Sequence, residues 1–375
     1  MRSRRQRHAD LFLVLIAFAA AVISCAKPPL PIGFVGPLTG PSSSVGLGAR
    51  NGFLLALGSD EGAAPGKIGK TELMVYDDGN DQDRCLEACR QLKALGCDIV
   101  VLATTSNAAI KAIPWAISEG MLVITPTVSD PTFSGKDDLL LRVNASSASF
   151  GERLAHAARE RTGLGKVGII GDVRNENYRA AVVRAFTSTF SNLGGEVVFD
   201  LLLNSAVGVD QATLVQAVRD SGIEGLVVVA ASSETVMVAK YLEKAGLDIQ
   251  LLLPAWPLTL DLIQNGGSAV EGVVAVGASD MDYSTPAGKA FRSAYAAKYG
   301  EEPSFTGMFG WEATSVLRRA LAESKSRNSG EIKDTILRIG TFPGLEGTIS
   351  FDSLGDASRG EYLFTIKEGR FVRLE

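Results

Sequence analysis

Only two of the 375 residues are histidines, and the side chains able to do chemistry lie instead in four short runs of small and hydroxyl-bearing residues. These are Gly40-Pro41-Ser42-Ser43-Ser44, Thr104-Thr105-Ser106-Asn107, Thr125-Pro126-Thr127-Val128-Ser129 and Ala231-Ser232-Ser233. Each follows an apolar run and precedes a helical pattern. Each therefore offers hydroxyls together with the free backbone N–H groups of a starting helix, a combination suited to a carboxylate or another anion. N-capping alone explains any single run, because Ser and Thr are favoured there with or without a ligand. Convergence of several of them on one cleft is what would make a binding site.

The residues for catalysis are missing. His8 lies in the N-terminal leader, and His156, within the helical "FGERLAHAARER", has no nucleophile or metal partner near it and reads as a surface or packing residue. There is no Gly-x-Ser-x-Gly elbow and no Ser-x-x-Lys at a strand-to-helix turn. Gly46-x-Gly48 followed by Gly52 is similar to a dinucleotide fingerprint, but it has one residue too many and falls inside the first helical pattern rather than at its start. "DDGNDQD" suggests a calcium loop until it is counted: from Asp78, the sixth and twelfth positions are Asp83 and Cys89 where Gly and Glu are required. A solvated turn opening a helix accounts for it. The chain is expected to be no enzyme, and to use neither metal nor cofactor.

The leader is informative. Arg2, Arg4, Arg5 and Arg7 precede an apolar segment from Leu11 to Ile23, the layout of a secretory signal and too short to span a bilayer with confidence. Val22-Ile23-Ser24-Cys25 resembles a bacterial lipobox, which makes Cys25 the acylated first residue of the mature chain and a membrane anchor. The alternatives are a plain signal peptide cut near Ala26 or an uncleaved anchor. Of the remaining cysteines, Cys85 and Cys89 share one apolar helical face, and either could pair with Cys97 in an oxidising compartment. Their plainer reading is small buried side chains. The 37 basic and 42 acidic residues leave a net charge of −5, with no basic stripe of the kind that grips nucleic acid.

Positioning these loops requires strands and helices in alternation. "IGFVG", "ELMVYDD", "DIVVLATTS", "MLVITPT" and "LLLRVN" are short apolar runs separated by helical patterns, and the grammar restarts at "GKVGIIGD" and continues through "EVVFDLLL", "IEGLVVVAASS", "IQLLLPAW" and "VEGVVAVGAS". Apolar runs without alternation are what strands buried on both faces look like, and helices between them imply parallel sheets. Two α/β lobes in tandem follow. A C-terminal tail of two helical patterns and a strand-rich segment is expected to pack back on them.

In order and spacing the chain resembles the leucine/isoleucine/valine-binding protein family, the type I periplasmic solute-binding proteins of ABC transporters, in lipoprotein form. "IGFVGPLTGPSSSVGLGARNGFLLAL", "VYDDGNDQDRCLEACRQL", "GMLVITPTVSDP" and "GTISFDSLGD" carry the resemblance, which covers nearly the whole mature chain. It implies an α/β fold of two Rossmann-like lobes with parallel sheets and a three-crossover hinge, with crossings placed at residues 142–144, 278–280 and 344–348. The organisation implied is a signal peptide over 1–24, a lipid-anchored tether over 25–30, a first lobe of 31–143 plus 280–345 and a second of 144–279 plus 346–375. The function implied is a monomeric, exported, lipid-anchored receptor on the periplasmic side. It would capture an amino acid or a related carboxylate or amide by lobe closure and deliver it to an ABC permease, touching the membrane only through the lipid on Cys25. A ligand-sensing lipoprotein that signals to a protein partner would need the same cleft.

By position, the resemblance assigns Thr105, Ser106, Val128 and Ser129 to the ligand's α-carboxylate and part of its ammonium, Val128 through its backbone. Hydrogen bonds to a charged group contribute about 1.5–3 kcal/mol each, so three or four suffice for micromolar binding at about −8 kcal/mol. The second lobe departs from the pattern. Glu176 and Ser232 stand where relatives often carry aromatics, and Ala255 stands where an acid would pair with an ammonium, unless Glu176 or Asp282 substitutes. Trp256 and Tyr283 are candidate aromatic contacts or core residues in equal measure.

Overall fold

The structure, a computed structural model, describes residues 29–58, 71–203 and 210–374. The leader and Cys25 lie outside the described residues. The first layer of elements is β1 (Leu30–Gly36), α1 (Ser43–Gly58), β2 (Thr71–Asp77), α2 (Gln82–Ala94), β3 (Ile99–Leu102), α3 (Ser106–Ala109), α4 (Ala112–Ser118), β4 (Leu122–Thr125) and β5 (Leu140–Arg142). Its five strands form one parallel sheet in the order β2-β1-β3-β4-β5. The central strands β3 and β4 are buried along their whole length, as their unalternated apolar runs predict. One helical pattern is broken: "NAAIKAIPWAISEG" forms α3 and α4 rather than a single helix. Pro114 has no N–H to give and its ring crowds the carbonyl four residues earlier, so α3 cannot run through it.

The chain then crosses to α5 (Ser147–His156), β6 (Lys166–Asp172), α6 (Glu176–Asn192), β7 (Glu196–Leu203), α7 (Gln211–Ser221), β8 (Gly225–Val229), α8 (Ser232–Lys244), β9 (Gln250–Leu253), α9 (Leu260–Gly266) and β10 (Val274–Gly277). It returns through α10 (Pro286–Tyr299), α11 (Phe305–Glu323) and α12 (Ser329–Ile339) to the short antiparallel strands β11 (Thr341–Pro343), β12 (Thr348–Phe351) and β13 (Ala357–Ser358). It ends in β14 (Tyr362–Lys367) and β15 (Arg370–Arg373), which complete a seven-stranded sheet ordered β15-β14-β10-β9-β8-β6-β7. β14 joins β10 antiparallel, while the five strands from β10 to β7 are parallel. β7 sits at the edge and alternates exposed and half-buried residues, the pattern of a strand with one wet face.

The Gly-rich start of α1 has a packing purpose. A Cβ on Gly52 would stand 1.9 Å from the Gly307 carbonyl oxygen, and one on Gly310 would stand 2.1 Å from that of Ala49, so α1 and α11 meet backbone to backbone. That explains the near-fingerprint of glycines without a nucleotide. "DDGNDQD" forms the turn that its composition suggested: Asp81 caps α2 by accepting from the N–H groups of Asp83 and Arg84. Cys85, Cys89 and Cys97 are buried free thiols with no disulfide between them. Burial, then Asp98 and Glu72, pushes the Cys97 thiol up to about 11.

The hinge is pinned by ion pairs, of which that between Arg359 and Glu312 is buried at both ends. Arg142, at the first crossing, donates from Nε to Asp356 Oδ1 at 2.6 Å and from Nη1 to the Asp130 carbonyl at 2.8 Å. Arg359 Nη1 lies 2.7 Å from Glu312 Oε2 and donates to the Val143 carbonyl at 3.1 Å, its guanidinium 4.2 Å from the centre of the Phe309 ring. Arg373 pairs with Asp280 at 2.9 Å. The third crossing lies later than residues 344–348. Ile349 packs in the core of the first sheet, Asp356 bridges to Arg142, and the chain joins the second sheet only at Tyr362. Short strand pairing, invisible in hydropathy, holds the segment 348–358 back.

Candidate functional site

In both sheets the strand order reverses beside the first strand of the unit, between β1 and β3 and between β6 and β8. Open α/β sheets bind ligands beyond the carboxyl ends of their strands at such reversals. The loops there face one another across a cleft whose space, its open mouth included, is about 380 Å3. Thr104, Thr105 and Ser106 reach it from the end of β3, and Thr127 and Ser129 from the end of β4. Asn175 and Tyr178 reach it from beyond β6, and Ala255 and Trp256 from beyond β9. Asn144 at the first crossing, together with Val45, Phe150 and Phe305, completes the lining.

The hydroxyls differ in what they have left to give. Ser106 Oγ accepts from the N–H groups of Ser129 and Asp130, both at 3.2 Å, so its own proton remains to be donated. Thr105 Oγ1 donates to Asn80 Oδ1 at 2.5 Å and accepts from the Ala108 N–H as the cap of α3, which leaves its hydroxyl proton occupied. Thr127 Oγ1 donates to the Thr104 carbonyl at 2.7 Å. In the second lobe the Trp256 backbone N–H donates to the Tyr178 hydroxyl oxygen at 3.3 Å, and the two rings meet edge to face at 5.7 Å. Burial holds the Tyr178 phenol well above its ordinary range, so it stays neutral. The lobes also touch directly: the Asn107 N–H donates to Asn175 Oδ1 at 3.1 Å.

Among the described residues no charged side chain lines the cleft. Arg174, after β6, is consumed by Asp172 and Glu234, with Nη2 at 2.6 Å and 2.5 Å from their carboxylates. Among the residues singled out in the sequence, Thr105, Ser106, Ser129 and Trp256 are brought together here. Val128 is fully buried in the first lobe's core with its N–H given to Thr125 Oγ1 at 3.0 Å. Glu176 turns to Arg179 at 2.6 Å. Ser232 binds the Pro257 carbonyl and Thr259 Oγ1, and Tyr283 donates to the Pro303 carbonyl at 3.1 Å. None of these four lines the cleft. The lining residues that sequence reasoning passed over include Asn144, Phe150, Asn175 and Phe305. Asn175 had a signal, since it immediately precedes a helix start after an apolar strand.

Residues 29–370 match the model of a family described as periplasmic binding protein. The chain is 24% identical over 379 residues to a leucine-, isoleucine-, valine-, threonine- and alanine-binding protein of Pseudomonas aeruginosa, covering 98% of this chain and 97% of that one. Among solved structures it resembles a leucine binding protein from Thermotoga maritima, with a TM-score of 0.85 at 22% identity over 92% of this chain and 98% of that one. It also resembles an R. palustris solute binding protein in complex with benzoate, with a TM-score of 0.82 at 18% identity over 92% of this chain and 96% of that one.

Proposed function

Because the chain belongs to the periplasmic binding proteins of type I, the leucine/isoleucine/valine-binding protein family, we propose that it is the solute receptor of an ABC importer of the branched-chain-amino-acid type. It captures a small amino acid or a related carboxylate or amide between its lobes and presents the closed form to a membrane permease. The observation that carries this reading is the cleft itself, built from hydroxyls of one lobe and the Asn175, Tyr178 and Trp256 group of the other. A ligand that touches both lobes binds the closed form better than the open one, and this difference is all that closure requires. The relatives named for amino acids and for benzoate span the same ligand range. Cys25, in its lipobox-like setting, is assigned as the lipid attachment that keeps the receptor at the envelope. Among the described residues no helix is long and apolar enough to cross a membrane.

A thermal-shift screen of the purified protein against amino acids, short and aromatic carboxylates, amides and polyamines tests the reading. A ligand at 100 times its Kd raises stability by about 2.7 kcal/mol. A shift with an amino acid, carboxylate or amide supports solute capture, and no shift across the panel refutes it.

A further inference from the structure

Resting on that solute-binding reading, we infer that the ligand is an apolar organic carboxylate that carries no ammonium group. An ammonium has three N–H donors and no acceptor, so a cleft that takes one must supply acceptors, and in practice a carboxylate, because a charge buried without a partner is strongly disfavoured. This cleft supplies the reverse. No Asp or Glu lines it.

The acids that flank the second lobe's loops are held by arginines. Asp172 and Glu234 hold Arg174, and Glu176 holds Arg179, which also reaches Asp200 at 3.0 Å. Asp282 is not among the lining residues. Asp78 and Asp130 in the first lobe are buried and do not line the cleft either. Burial holds Asp78 above its ordinary range, which favours its uncharged form.

What the cleft has in surplus is donors. The Trp256 indole N–H is buried and has no partner. Ser106 keeps its hydroxyl proton after accepting twice. The Tyr178 oxygen accepts from the Trp256 backbone, and its phenol proton remains. Uncompensated buried donors with no acceptor among the lining side chains carrying a negative charge match an oxyanion. The rest of the wall is apolar: Val45, Phe150, Ala255, Phe305 and the edge-to-face Tyr178–Trp256 pair.

The test uses pairs of ligands that differ only by the ammonium, titrated against the full chain by calorimetry: 4-methylpentanoate against leucine, and 3-phenylpropanoate against phenylalanine. Each acid is expected to bind at least about tenfold more tightly than its amino-acid counterpart, on the scale by which a site discriminates against a group it cannot pair. In Ala255→Glu, which places a carboxylate in the wall, the preference is expected to reverse. Trp256→Phe, which keeps an aromatic ring and deletes the N–H, is expected to weaken the acids about three- to tenfold.

Leucine or phenylalanine binding as tightly as its acid overturns the inference and leaves the solute-receptor reading intact. The amide 3-phenylpropanamide binding as well as its acid overturns the carboxylate assignment. Failure of every acid, amino acid and amide to bind removes the solute-receptor reading along with the inference. The wild-type pairs decide the question even where a variant does not fold.

Discussion

Replacing Arg359 by Met is expected to destabilise the protein by about 3–5 kcal/mol, the cost of stranding a buried charge. The magnitude follows from what surrounds the pair. The Glu312 side chain is 0% exposed and that of Arg359 only 7%, with Nη1 and Oε2 separated by 2.7 Å. Without the guanidinium, Glu312 keeps one strong partner, the Leu345 N–H at 2.8 Å on its other oxygen. The loss also removes the bond to the Val143 carbonyl and the contact with the Phe309 ring, the latter contributing about 0.5–2 kcal/mol. Glu312→Leu alone strands the cation in the same way. The double variant Glu312→Leu/Arg359→Met strands nothing and is expected to cost less than either single change, with a coupling energy of at least about 2 kcal/mol. Urea unfolding at pH 7, followed by tryptophan fluorescence and circular dichroism, measures all four proteins, and an unchanged slope confirms that midpoints report stability. A single-variant cost below about 1 kcal/mol, or single effects that simply add, would refute the claim that this pair pins the hinge.

Two further outcomes follow from the geometry. Asn175→Ala removes the one neutral hydrogen bond found between Asn107 and the second lobe, at 3.1 Å, and is expected to shift the lobes toward opening and weaken ligand binding about two- to tenfold. Small-angle scattering of the unliganded variant should give a larger radius of gyration than wild type, and an unchanged radius with unchanged affinity would rule this contact out as a latch. Asp77 tests the first lobe: burial opposes its charge, but hydrogen bonds from Thr39, Leu38 and Gly79, with Arg84 nearby, more than offset that and lower its pKa from 3.8 to about 2. A lowered carboxylate stabilises fully above its unfolded value and loses that contribution as the pH falls through its folded one. Asp77→Asn is therefore expected to cost about 1–2 kcal/mol at pH 7, allowing for partial exposure, and to match wild type near pH 2. Parallel pH–stability curves for the two proteins would contradict the assignment.

How much of this was legible in the sequence depended on how local the determining forces are. The central strands, and with them both parallel sheets, could be read from unalternated apolar runs such as "IVVL" and "GLVVV" because burial on both faces leaves that mark in the residues themselves. The loop hydroxyl at Thr105 was legible for the same reason, since capping acts within one turn of its own helix. Where the outcome turned on contacts between distant segments, the reading failed. The third crossing was placed too early because the bridge between Arg142 and Asp356 spans 214 positions. Glu176 was drawn away by Arg179, a neighbour on its own helix whose orientation is fixed in turn by Asp200 on β7. Helix α9 was passed over because so short a segment resembles a loop until something packs on it.

The two lobes accordingly divide the work of recognition in unequal ways. The first lobe contributes hydroxyls tied to one another across its loops, Thr105 to Asn80, Thr127 to the Thr104 carbonyl and Ser106 to the Ser129 and Asp130 N–H groups. The second contributes Tyr178 and Trp256, 78 positions apart in the chain and joined through one 3.3 Å hydrogen bond and one edge-to-face contact. That pairing fixes the indole in the cleft wall beside Ala255, a side chain too small to carry any charge. On the inference that the ligand carries no ammonium, selectivity for its body would reside in the half of the site that no short motif encodes. A substitution there changes which solute is held while leaving the fold and the first lobe's hydroxyls in place.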